Sequence, residues 1–198
     1  MPKVSGIFDS FDNLDKIPTA DIAGWLNPRP DIKFLDNYVA NRIFYPQITP
    51  ISQTELDIDL AILREALKRN PIYFKKAQKK ILIPEEFISR LPDLNKLAWA
   101  FIDAYIPKEQ IVFTLIGSGG DEVLGTYLRA EFPAERDYID LEVQDKHFRI
   151  KPGLTFIPCQ NHCHINFKSG NAKILGKNEL TIEVFGGRLG LAIDGRKS

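Results

Sequence analysis

Two cysteines, three histidines and a single methionine, Met1, are all that this 198-residue chain holds of the side chains that bind soft metals or build disulfide scaffolds. Two cysteines in a chain of this length do not make a disulfide framework, and they fit a reducing compartment. No apolar run approaches the roughly 18 residues that a membrane span requires. The opening MPKVSGIFDSFDNLDK also lacks the apolar core of a signal peptide. The expected location is therefore the cytoplasm, with no membrane partner. Neither G-x-S-x-G nor H-E-x-x-H occurs, and no nucleophile stands beside a recognisable base, so no enzyme class is indicated. There is no internal repeat and no low-complexity segment. Lysine plus arginine number 26 and aspartate plus glutamate 26. A net charge of zero argues against a dedicated nucleic-acid binder.

What is present is a hydrophobic fraction of 44%, enough for one sizeable core or two small ones, and charge that is unevenly spread. Between Ile62 and Lys80 stand seven bases, Arg64, Lys68, Arg69, Lys75, Lys76, Lys79 and Lys80, against Glu65. Between Asp121 and Asp145 eight acids face two arginines. A basic and an acidic patch of this kind serve partners or meet each other.

The N-terminal half reads as helical. Ile32, Leu35, Tyr38, Val39 and Ile43 recur at helical spacing, predicting a helix over 31–43. SQTE at Ser52–Glu55 is a capping box ahead of Leu56, Leu60, Leu63 and Leu67, and predicts a helix of about 15 residues that Asn70 and Pro71 end. IYFKKAQKKIL reads as a second, basic helical piece. Pro84 opens PEEFISRL and Pro92 opens DLNKLAWAFIDAY.

After Pro107 the pattern changes. IVFTLI over 111–116 is a buried strand, and GSGGDEVLGTYLRAEF is expected to turn into one more helix. From Asp137 the period becomes two, and three hairpins are expected. A turn at Asp145 and Lys146 sets Val143 opposite Phe148. One at Ser169 and Gly170 sets Ile165 opposite Ile174. A third at Gly186 and Gly187 sets Val184 opposite Leu189, Ile182 opposite Leu191 and Leu180 opposite Ile193. The expected fold is α+β: a helical part over 1–107, a strand, Gly-rich loop and helix bridge over 108–136, and a small antiparallel β barrel or sandwich over 137–198.

Within the tail GNAKILGKNELTIEVFGGRLGLAIDGR, the pattern V-x-G-G-x-L-G-L-x-I-D-x-R over 184–196 resembles the C-terminal end of the glutamate mutase L family, adenosine-nucleotide-binding relatives encoded beside cobalamin-dependent mutases. The resemblance implies a shared β module. It carries over no activity, because that family's nucleotide site sits on a much larger ATPase-like fold that residues 1–110 do not trace.

Three stretches offer sites. In CQNHCH, alternation points Cys163 inward and His162 and His164 outward side by side, a sound metal-binding element. Cys159 and His147 would complete a zinc site, whereas two buried thiols beneath two surface histidines is the simpler reading. Gly117, Ser118, Gly119 and Gly120 follow a strand and precede an expected helix start, where backbone N–H groups cradle phosphate. The sequence matches neither phosphate-loop pattern, and Asp121 and Glu122 add negative charge of their own. Lys68, Arg69, Lys75, Lys76, Lys79 and Lys80, interleaved with Tyr73 and Phe74, form a possible nucleic-acid face. The reading that results is a non-enzymatic cytoplasmic protein-binding or assembly module. Its alternatives are a nucleotide- or metal-dependent catalytic component and a nucleic-acid binder.

Overall fold

A computed structural model describes residues 14–91, 93–169, 172–175 and 181–197. The chain forms two compact units. One comprises residues up to Tyr73 together with Pro84–Ile106, the other Phe74–Ile83 together with residues from Pro107 onward. The protein is α+β.

Among the described residues the first unit holds five α-helices: α1 (Thr19–Ala23), α2 (Ile32–Phe44), α3 (Gln53–Arg69), α4 (Glu85–Arg90) and α5 (Leu94–Tyr105). Their starts are local chemistry. Asp31 accepts from the Phe34 amide at 3.1 Å, Ser52 from Glu55 at 3.2 Å and Asp93 from Lys96 at 3.0 Å, each satisfying an otherwise orphaned first-turn donor. Glu55 reaches back to the Ile51 amide at 2.7 Å, closing a variant of the predicted capping box. The α3 helix then runs for 17 residues. Pro92, the expected opener of α5, lies outside the described residues, and Asp93 caps that helix. Tyr73, Phe87 and Phe101 meet with ring centroids 5.5–6.2 Å apart, at the core of this unit.

The basic helical piece expected after Pro71 does not form. Short 3-10 turns at Pro71–Tyr73 and Lys76–Gln78 flank strand β1 (Phe74–Lys75), which pairs antiparallel with β2 (Lys80–Pro84), placing Phe74 opposite Ile81. Helix propensity in KKAQKK is worth tenths of a kcal/mol per residue. Burying Ile81 and Ile83 on one face of a paired strand outweighs it.

The second unit continues with β3 (Ile111–Ile116), β4 (Glu122–Glu131), β5 (Ile139–Val143), β6 (Lys146–Ile150), β7 (Leu154–Ile157), β8 (His162–Ser169), β9 (Lys173–Ile174), β10 (Thr181–Phe185) and β11 (Gly190–Asp194). A seven-stranded sheet has the order β1-β2-β3-β4-β11-β7 with β9 beside β4, and a four-stranded sheet has the order β10-β8-β5-β6. One apolar core draws on both, from Leu128, Leu191 and Ile193 to Leu141, Ile165 and Val184. Among the described residues neither sheet closes into a barrel.

Three expectations are corrected here. The segment after GSGG is the ten-residue strand β4, not a helix. It is sandwiched between β3 and a parallel β11, and Gly125 lets β11 approach so closely that any Cβ there would overlap the Gly190 carbonyl. The first hairpin turns at Gln144 and Asp145, both in the left-handed region, so Leu141 faces Phe148 and Ile139 faces Ile150. Among the described residues the pairings of the other two hairpins do not form. β8 pairs with β5 and β10, setting Ile165 beside Val143 and Ile182, while β9 joins β4. β11 leaves β10 for the larger sheet, so Leu191 faces Ile157. Gly170 and Leu180, used in those two readings, lie outside the described residues.

Candidate functional site

Among the described residues of the helical unit, the most exposed large apolar side chains, Ile51 and Phe44, belong to the irregular segment between α2 and α3 and to the last residue of α2 before it. Phe44 is 77% exposed, Tyr45 54%, Ile48 51% and Ile51 89%. Prolines at 46 and 50 keep residues 45–51 out of helix, so Tyr45, Ile48 and Ile51 have no helical face to join. The backbone beneath them is nonetheless fixed. Arg42, 4% exposed on the last turn of α2, donates from Nη1 to the Ile48 carbonyl at 2.7 Å. The Ile48 amide donates to the Tyr45 carbonyl at 3.2 Å, the Ile51 amide to Glu55 at 2.7 Å, and Arg90 donates to the Gln47 carbonyl.

Arg42 is itself held by a buried network. Its Nε lies 2.8 Å from Asp59 Oδ1 and 3.0 Å from the Tyr38 hydroxyl, and that hydroxyl donates to Asp59 at 3.0 Å. Burial raises the Asp59 carboxyl to about 6, with Arg42 and Tyr38 pulling the other way. Burial, and then the Asp59 charge, push the Tyr38 phenol well above its ordinary value. This cluster is costly to desolvate and rigid once formed. It therefore converts a proline-containing loop into a fixed platform for four exposed apolar side chains. No motif marked it in the sequence. The signal that was available is FYPQITPI itself, apolar residues gathered in a stretch that proline excludes from both periodic patterns.

The other sites predicted from the sequence fare differently. Cys159 and Cys163 are bonded to each other and buried, so neither thiol is available to a metal and the reading as free thiols is corrected. His162 and His164 do point outward, their rings 6.1 Å apart. His162 stacks on Phe185 at 4.9 Å and places Nε2 2.9 Å from Glu183. His147 lies two strands away on β6, opposite Glu142. Among the described residues no group of three or more histidine, cysteine or acidic side chains is arranged to hold a metal.

The stretch Gly117–Gly120 links two antiparallel strands. With no helix following, it lacks the aligned N–H groups and dipole on which the phosphate reading rested. Glu122 beyond it is engaged by Arg188 at 3.2 Å.

The basic stretch is divided between the units and is not helical throughout. Lys68 and Arg69 belong to α3, where Lys68 pairs with Glu65 at 2.8 Å and Arg69 with Asp21 at 2.9 Å. Burial raises Glu65, but hydrogen bonds from Lys68 and Trp25 outweigh it and hold the carboxyl below its usual range. Lys75, Lys76, Lys79 and Lys80 belong to the β unit, with Lys79 on Glu109 at 2.9 Å.

In the tail motif, two glycines and an aspartate make close packing contacts. Gly186 and Gly187 admit the Cys159 and Val123 carbonyls where a Cβ would collide. Asp194, nearly fully buried, receives Arg129 at 2.8 Å and Arg196 at 2.9 Å. Burial alone would raise Asp194, and the hydrogen bonds and charges of the two arginines hold it below the usual carboxylate range. Among the described residues no helix is long and apolar enough to cross a membrane. The chain matches no family model, no curated protein and no solved structure.

Proposed function

We propose that the protein is a protein-binding module whose helical unit docks its partner on residues 44–51. The observation that carries this reading is the pairing of strong exposure with a fixed backbone: Phe44 and Ile51 are 77% and 89% exposed on a segment that Arg42 anchors from beneath. Large apolar side chains held in water mark an interaction surface. Each gains about 1.5–3 kcal/mol when fully covered. A backbone ordered beforehand spares the entropy that docking otherwise costs. Charge has a smaller part than the sequence suggests, because Lys68, Arg69 and Lys79 already have acidic partners. The Cys159–Cys163 bond favours an oxidising compartment over the cytoplasm, where such bonds are rare.

The test compares wild type with a Phe44→Asp, Ile51→Asp double variant and with Ile72→Asp, which alters another exposed isoleucine of the same unit. Co-purification from source cells with mass spectrometry is combined with sedimentation velocity of the pure protein. A partner or a self-associated species kept by wild type and Ile72→Asp but lost by the double variant supports the reading. Identical behaviour of all three proteins refutes it.

A further inference from the structure

The β unit begins with a hairpin crowded with lysine. Residues 74–83, which form β1, the turn after it and most of β2, carry Lys75, Lys76, Lys79 and Lys80 and no acid. The hairpin stands at one end of the seven-stranded sheet, where β1 is the last strand. The zero net charge of the chain conceals this concentration. The β unit holds 16 lysines and arginines against 12 acids, and the helical unit 10 against 14. Without its four hairpin lysines the β unit would be neutral.

Most of these charges are uncommitted. Lys79 is held by Glu109 at 2.9 Å. Among the described residues Lys75, Lys76 and Lys80 have no acidic partner, and neither has the exposed Lys108 beside that glutamate. The Lys79 carbonyl accepts from the Val112 amide at 2.9 Å, so the stretch that carries Lys108 enters the sheet at the lysine turn. Register makes the arrangement costly. Lys75 lies directly opposite Lys80 in the antiparallel pair, where like charges are destabilising. An anion bound across the two ammonium groups would remove that repulsion.

The kind of anion follows from what the hairpin lacks. It exposes no large apolar side chain: Phe74 and Leu82 are half-buried, Ile81 and Ile83 are buried, and the turn adds only Ala77 and Gln78 to the lysines. Protein interfaces rest on apolar and aromatic anchors and are poor in lysine. Single-stranded nucleic acid needs exposed rings on which its bases stack. Flexible point charges by themselves suit a dense, regular row of phosphates, and a DNA duplex presents one negative charge per roughly 1.7 Å of its axis.

We propose that the β1–β2 hairpin binds the phosphate backbone of duplex DNA, without regard to sequence, through Lys75, Lys76, Lys80 and Lys108. This site is separate from the docking segment 44–51 and does not depend on it.

The test is fluorescence anisotropy of a labelled DNA duplex of about 20 base pairs, titrated with the full chain at several NaCl concentrations. Four phosphate contacts predict a slope of log K against log salt of about −3.6, a loss of affinity on the order of 100-fold between about 50 and 200 mM. Lys75→Gln, Lys76→Gln and Lys80→Gln together should bring the slope to about −1, each lost lysine removing roughly one unit. Lys151→Gln with Lys173→Gln, at two exposed lysines of the same unit, should leave it unchanged. The triple variant removes a like-charge pair, so it folds at least as stably as wild type, and a thermal melt verifies this. Lys80→Glu makes the opposed pair attractive, and should raise stability while weakening DNA binding about tenfold. Phosphatidylserine vesicles and poly-glutamate stand for a membrane and an acidic protein, and each should bind at least about tenfold more weakly than the duplex. No DNA binding at about 50 mM NaCl, an unchanged slope in the triple variant, or vesicles or poly-glutamate bound as tightly as DNA overturns the assignment.

Discussion

Replacing Arg42 by methionine tests the platform at its root. The substitution keeps much of the side-chain volume but removes donors to Asp59, Tyr38 and the Ile48 carbonyl in one step. Breaking a buried ion pair by deleting one partner costs about 3–5 kcal/mol, because the other charge is left uncompensated. At roughly 4–8 °C per kcal/mol for a unit of this size, the helical unit should melt at least about 10 °C lower at pH 8. The pH dependence follows from Asp59. Its folded pKa of about 6 lies above the ordinary 3.8, so between those values the folded state holds a proton that the unfolded chain has lost, and stability falls as pH rises through that window. Without Arg42 the carboxyl moves higher still. The variant's deficit should therefore be largest at pH 8 and shrink by pH 5, where Asp59 is mostly protonated. A second change separates the two roles of Arg42. In Arg42→Met, Asp59→Leu no buried charge remains and most of the stability should return, since apolar replacement of a buried pair is often neutral. The Ile48 carbonyl still lacks its donor, so limited chymotrypsin digestion at Phe44 and Tyr45 should stay faster than in wild type. Thermal melts followed at 222 nm across pH, with the digestion beside them, decide the matter. An Arg42→Met protein within about 1 kcal/mol of wild type, or one whose deficit ignores pH, would refute the reasoning.

Thiol titration of the denatured, unreduced protein should find no free cysteine, and reduction should lower stability by about 2 kcal/mol, the loop-closure value for a bond joining residues four apart in sequence; two titratable thiols would contradict the bond. Asp194→Asn leaves Arg129, 11% exposed, without its carboxylate, and should cost about 3 kcal/mol at neutral pH by chemical denaturation. Because Asp194 is held below its ordinary pKa in the folded state, its contribution is complete above about pH 4 and is lost as pH falls below that value, so this variant should show a shallower acid-unfolding limb than wild type.

The helix starts were legible because capping is a matter of three or four residues. Asp31, Ser52 and Asp93 each satisfy an amide three positions on, and nothing distant is required. Strand β3 was legible for a similar reason, its run of apolar residues fitting burial on both faces. The alternation in β8 told correctly that Cys163, Ile165 and Phe167 face inward and His162 and His164 outward. Where the reading failed, local preference was overruled from afar. KKAQKK and DEVLGTYLRAE carry helix formers, yet their backbone groups found partners in β1 to β4 and β11, and no window of the sequence contains that information. The Arg42 network was hidden for the same reason, since Arg42 and Asp59 look like ordinary surface residues, and Tyr38 like one more member of an apolar helix face, until α2 and α3 are packed together.

By itself, then, the sequence located the starts of α2, α3, α4 and α5 and the apolar faces of β5 and β8, because these follow from the short-range sterics and hydrogen bonding of neighbouring residues. It could not determine which strand lies beside which. A period of two matches any apolar face to any other, so Ile165 is as well suited to Ile174 as to Ile182, and Leu191 as well to Ile182 as to Ile157. Only the competition among all the strands for one core, with Gly125 permitting β11 to lie against β4 and Gly190 permitting it to lie against the end of β7, selected the two sheets that form.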